Sequence, residues 1–135
     1  MTLEELNLHY DAVNKLNSAR DRLESMTSFL KGQNLDGMPR SSGKSRKVEQ
    51  LAILIEAQED EVARMEWIVR RSEKPVQDFI SAIPDNRTAQ IFSLRFIAGY
   101  EWEAVALIIG GKNTEGSVKA TCYRYLESLR RAEAL

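Results

Sequence analysis

The sequence predicts an all-α protein: an N-terminal long antiparallel helical hairpin followed by a helix-turn-helix bundle. Two stretches repeat apolar residues at spacings of three and four, and none alternates apolar with polar long enough for a strand. The 7 Gly and 3 Pro cluster, which leaves long uninterrupted segments before Pro75. After Pro75 the punctuation becomes frequent, as short helices with tight turns require.

The first helix is expected from about Thr2 to Lys31. Thr2 and Glu5 fit a capping box. Ala12, Leu16, Ala19, Leu23, Met26 and Leu30 form a heptad seam, and Gly32 is the expected C-cap. Residues 32–45 read as a basic loop: Asp36-Gly37 is a turn signal and Met38-Pro39 opposes helix. The second helix is expected from about Ser45 to Ser72, with Val48, Leu51, Leu54 or Ile55, Val62, Met65, Ile68 and Val69 inward and Gln58 a polar interruption. Each would be on the order of 40 Å long at 1.5 Å per residue. A separate short helix should open at Pro75 and run to about Ala82, burying Val76, Phe79 and Ile80. Helices at about Asn86–Ala98, Glu101–Ile109 and Thr114–Ala134 follow. The division is therefore 1–74, a hairpin serving as interaction or dimerisation arm, and 75–135, a helix-turn-helix domain.

The chain has 135 residues, with 19 Lys+Arg, 20 Asp+Glu and 1 His, for a net charge of −1. A single Cys excludes a disulfide framework and a Cys-based zinc site, and no metal or cofactor is expected. The acidic residues Glu56, Glu59, Asp60 and Glu61 crowd one solvated helix stretch, and no catalytic set appears, so no enzyme is expected. Gly43-Lys44-Ser45 imitates the end of a phosphate loop, but position 38 is Met where the motif needs Gly, and no strand precedes it. The apolar runs are short, so no membrane span is expected. The start, Met1 to Glu5, is acidic and unlike a signal peptide; a cytoplasmic location is expected. With net charge near zero, any nucleic-acid surface must be local.

One segment supplies such a surface. Arg87 to Arg131 reads as helix, Gly turn, short helix, Gly-containing turn, longer helix. Val118, Cys122, Tyr125 and Leu129 form an inward line, and Ala106 is the small residue where the short helix meets the long one. From Lys112 to Arg131 there are five basic and two acidic residues. Trp102 reads as a core wedge, Cys122 as a small buried apolar group, and His9 as a solvated side chain. Arg95 reads as a structural ion pair with Glu103 before a DNA contact.

The motifs Leu94-Arg95-Phe96, Trp102-Glu103-Ala104-Val105-Ala106, Ile109-Gly110, Glu115-Gly116-Ser117-Val118-Lys119 and Tyr123-Arg124-Tyr125-Leu126 come in the order of region 4 of bacterial sigma factors, which this segment resembles. The turn Gly110–Thr114 is longer than the usual sigma-type turn, and no region 2 precedes it, so the chain is not expected to replace a complete sigma factor. With its long helices and the loop Leu35-Asp36-Gly37-Met38-Pro39-Arg40, the whole chain resembles small prophage proteins of Gram-positive bacteria related to the RinA and ArpU late-transcription regulators.

The resemblance implies a sequence-specific DNA-binding transcriptional regulator of phage or prophage genes in a bacterial host cell. Its last helix would lie in the major groove of double-stranded DNA. Lys112, Asn113, Thr114, Ser117, Lys119, Ala120, Thr121 and Arg124 would meet phosphates or base edges, with a phosphate favoured at the helix N-terminus. Arg40, Lys44, Arg46 and Lys47 either contact phosphate or keep the hairpin tip soluble. The modest local charge calls for a homodimer or higher oligomer, or for RNA polymerase as partner. Two other readings stand beside it: a small terminase-like DNA-packaging subunit, and a protein-interaction module that binds polymerase or another regulator. Charge reversal at Lys119 and Arg124 separates the last from the first two.

Overall fold

A computed structural model describes residues 1–34 and 42–135, with side chains for 1–32 and 46–135. Every element among them is helical: α1 (Leu3–Asn34), α2 (Ser42–Ser81), α3 (Asn86–Phe92) continued by a π-helical turn (Ser93–Ile97), α4 (Trp102–Ile109) and α5 (Glu115–Ala134). The Arg40 position and half of the expected loop, 35–41, lie outside the described residues. These residues divide into two compact units, Lys15–Ile68 and Met1–Asn14 with Val69–Leu135. A boundary at 74/75 was expected. The start of α1 and the last part of α2 fold instead with the C-terminal helices, because Leu6 and Val76 belong to their core.

Within Lys15–Ile68, α1 and α2 pair along part of the expected seam: Leu23, Met26, Leu30, Val48, Leu51 and Met65 are half-buried, and Ile68, expected inward, is 45% exposed. Leu16, Ala19, Ile55 and Val62 are buried, and Ile55 rather than Leu54 takes the inward position. Gln58 does not interrupt the pairing: its amide Nε2 donates to the Ala19 carbonyl at 3.1 Å. Arg20 and Glu66 form an ion pair across the helices at 3.2 Å.

Three sequence expectations about helix ends are corrected. Thr2 does cap α1, its hydroxyl accepting from the Glu5 amide at 3.2 Å. Gly32, however, is inside the helix rather than its cap. The second helix begins at Ser42, so 42–45 are helical, not loop. And no helix starts at Pro75, because α2 runs through it. A proline inside a helix loses one hydrogen bond and crowds the preceding turn, at a cost of about 3 kcal/mol. Val69, Val76 and Ile83 lie seven residues apart and are all buried. Phe79 and Ile80 pack against the same core. Fully burying one such side chain contributes roughly 1.5–3 kcal/mol, so the unbroken helix prevails.

In the other unit, Asp85 caps α3: its carboxylate accepts from the Thr88 amide at 3.0 Å and from the Thr88 hydroxyl at 2.6 Å. These bonds hold the Asp85 carboxyl below the usual range. Leu6, Val76, Ile83, Ile91, Phe92, Phe96, Trp102, Val105, Ala106, Val118 and Cys122 make one core. Phe79 and Tyr125 meet Phe92 edge-on, with ring centroids 5.7 Å away in each case. Trp102 is the expected wedge, edge-on to Phe96 at 6.3 Å. Burial pushes the Cys122 thiol up to about 12, so it stays a neutral packing group.

His9 corrects the sequence reading. It is 1% exposed, with Nδ1 2.6 Å from the Ser72 hydroxyl oxygen. Its Nε2 is buried without a hydrogen-bond partner. Desolvation lowers its pKa, partly opposed by Glu73. Arg95 is structural, but not through Glu103. Its guanidinium lies 3.7 Å from the Tyr10 ring centroid and 4.6 Å from that of Trp102, and Nη1 donates to the Tyr100 carbonyl at 3.1 Å.

Candidate nucleic-acid interface

The turn between α4 and α5 is built on two glycines. Gly110 and Gly111 have φ of 77° and 64°, a backbone region that side-chain-bearing residues rarely adopt. The Asn113 amide closes this turn by donating to the Gly110 carbonyl at 2.7 Å. Thr114 then caps α5 in a reciprocal box: the Ser117 amide donates to its hydroxyl at 3.1 Å, and its own amide donates to the Ser117 hydroxyl at 2.9 Å.

Burial of Val118 and Cys122 fixes how α5 is rotated. Gly116, Ala120 and Arg124 then fall on the side away from the core by helical spacing, with Ser117 and Lys119 flanking them. Lys112, Thr114 and Arg124 are exposed; Asn113, Ser117, Lys119, Ala120 and Thr121 are half-buried. Several of the expected contact residues already have structural work. Ser117 donates to the Thr114 carbonyl at 3.0 Å, and Thr121 donates to the Ser117 carbonyl at 2.9 Å. Their hydroxyl oxygens remain acceptors, which suits base amines better than phosphates. The free positive charge on this face belongs to Lys112, Lys119 and Arg124, the last also donating through Nε to the Ala120 carbonyl at 3.3 Å.

Arg87 was not singled out from the sequence. It opens α3, and its guanidinium donates to the Asn113 side-chain oxygen and, at 3.4 Å, to the Thr121 hydroxyl. It therefore joins α3, the turn and α5 on the same face. The available signal was its place at the head of the helix-turn-helix segment Arg87 to Arg131.

Further along α5 the charge is balanced, Arg130 and Arg131 against Glu127 and Glu133. Arg130 and Arg131 pair with Glu127 at 2.7 and 3.5 Å, and the Arg130 hydrogen bond is the main reason the Glu127 carboxyl sits below its usual range. The basic excess is thus concentrated at the N-terminal half of α5. Of the second basic set, Arg46 and Lys47 are exposed in the first turns of α2. Arg40, and the side chain of Lys44, lie outside the described residues.

No group of His, Cys, Asp and Glu side chains able to hold a metal occurs among the described residues. No helix among them is long and apolar enough to cross a membrane. Comparison with known protein families, with curated proteins and with solved structures finds no match to this chain.

Proposed function

We propose that the protein is a sequence-specific DNA-binding transcriptional regulator of phage or prophage genes, with a sigma-region-4-like helix-turn-helix. The observation that carries this is the rotation of α5. Its apolar line is buried at Val118 and Cys122, and it turns Ala120 and Arg124 outward between Lys112 and Lys119. A helix so presented enters a major groove with Lys112, Lys119 and Arg124 on phosphates or guanine edges and Ala120 beside a thymine methyl. Arg87 adds a fourth cation at the edge of that face.

The modest local charge calls for a second source of affinity, either pairing of the chain or RNA polymerase as a partner. One feature favours the protein-interaction reading: Leu107 and Ile108 of α4 are exposed.

Selection from a random duplex pool at moderate salt tests the proposal. Wild type should enrich one motif, and Lys119→Glu/Arg124→Glu should lose it. If wild type and variant both fail to enrich any sequence, the chain does not read DNA unaided, and the interaction module takes its place.

A further inference from the structure

Arg95 carries a charge that packing alone does not explain. It belongs to the π-helical turn Ser93–Ile97, where the Ala98 amide donates back to the Ser93 carbonyl at 3.0 Å. Its guanidinium carbon lies 3.7 Å from the centroid of the Tyr10 ring and 4.6 Å from that of Trp102, so the group stacks on α1 and α4 at once. No carboxylate pairs with it among the described residues, and its Nε is buried without a hydrogen-bond partner. Taking part of a charge out of water in this way costs more than burying an apolar chain of the same length. A methionine would fill the space between the two rings without that cost.

What the arginine adds is direction. Nη1 donates to the Tyr100 carbonyl at 3.1 Å, just before α4, and the guanidinium covers the ring of Trp102, the first residue of α4. Glu101, the N-cap of α4, makes no side-chain bond to the helix start. Arg95 therefore anchors this end of the helix from outside it. The placement passes to α5 through packed groups. Trp102 meets Tyr123 edge-on with centroids 6.3 Å apart, and Arg124 is the next residue. Val105 and Ala106 share a core with Val118 and Cys122. A close-packed interior transmits such a displacement and does not absorb it.

We propose that Arg95 is a positioning residue for the candidate DNA face, and that Tyr10 makes the start of α1 part of that face's support. The proposal rests on the DNA-binding reading. Neither side chain has to touch DNA: Tyr10 holds Arg95, Arg95 holds the start of α4, and α4 holds α5.

Two measurements on the full chain separate this claim from the reading beneath it. The first is amide hydrogen exchange of the free protein. Arg95→Met and Tyr10→Leu should each speed exchange at Val105 and Gly110, whose amides bond to Glu101 and Ala106 at the two ends of α4, while Ile91 and Phe92 stay protected. Tyr10→Phe should recover the protection that Tyr10→Leu loses, because the ring face makes the contact; mere apolar packing would accept leucine as well. The second is titration of a duplex selected with wild type. Arg95→Met and Tyr10→Leu should weaken binding roughly two- to thirtyfold, as substitutions acting through packed neighbours do, with the salt slope unchanged. Wild-type exchange at α4 in both variants would overturn the proposal. Exchange that rises equally at Ile91 and Phe92 would make the stack a general stabiliser and overturn it too. So would wild-type affinity after α4 has lost its protection, or a salt slope lowered by about one, which would put Arg95 on a phosphate. A wild type that selects no duplex overturns the DNA-binding reading and the DNA role of Arg95 with it, while exchange alone decides whether Arg95 anchors α4.

Discussion

His9 and Arg95 are the two polar side chains at which residue type was a poor guide to role. His9 lies at spacings of three, four and three with Leu6, Val13 and Leu16, all of them buried, so the pattern did mark its position as inward. A seam that begins at Ala12 passes over that signal. Arg95 was legible as structural, but its ring partners belong to α1 and α4, and spacing along one helix does not reveal them. The pH dependence of stability follows from His9. Its folded-state pKa lies below the ordinary 6.5, chiefly through desolvation, so the unfolded chain takes up the proton more readily. The contribution is fully present above about pH 6.5 and declines as pH falls from there toward the lowered value. Urea midpoints measured from pH 8 to pH 5 should therefore drop through this window. His9→Leu should flatten the drop, because this is the chain's only histidine.

Elements were more legible than their ends. The Leu16–Ala19 part of the α1 seam and the Val118–Cys122 line of α5 follow from spacing, since burial on one helical face demands it, whereas Trp102 and Ala106 were legible from their places in the helix-turn-helix pattern. Breaks were harder to read, because Pro75 and Gly32 are local signals that tertiary burial overrides. For the candidate interface, Thr114 and Ser117 were expected as contacts and form a cap, which their place at the helix start could have signalled, and the Arg87 bridge spans residues too distant in sequence for any periodicity to link. Pro75 supplies the test at this scale. If burial of Val76 and Ile83 holds α2 straight through a proline that costs helix stability, Pro75→Ala should keep the fold and raise stability. The gain should be about 1–3 kcal/mol, the proline cost less the entropy that alanine restores to the unfolded chain. Thermal melts should show a higher midpoint with unchanged helix content. A lower midpoint would mean that the proline fits this position better than alanine.

At the scale of the whole molecule, a net charge of −1 and a local basic face place opposite demands on the proposed DNA binding. Long-range attraction is weak, so affinity rests on the few cations that touch phosphate. Arg87, Lys112, Lys119 and Arg124 are the cations that this one face offers from one copy. Counterion release gives a log–log salt slope of about −0.9 per neutralised phosphate, hence about −3 to −4 for one copy and roughly double for a paired form with both faces engaged. Titrating a selected duplex across a salt series reads this slope directly. Arg87→Ala should reduce the wild-type slope by nearly one unit per engaged copy while preserving the preferred sequence, as loss of a phosphate contact does. An unchanged slope with Arg87→Ala would assign that side chain to holding Asn113 and Thr121 in place and leave phosphate binding to the three cations of the turn and α5.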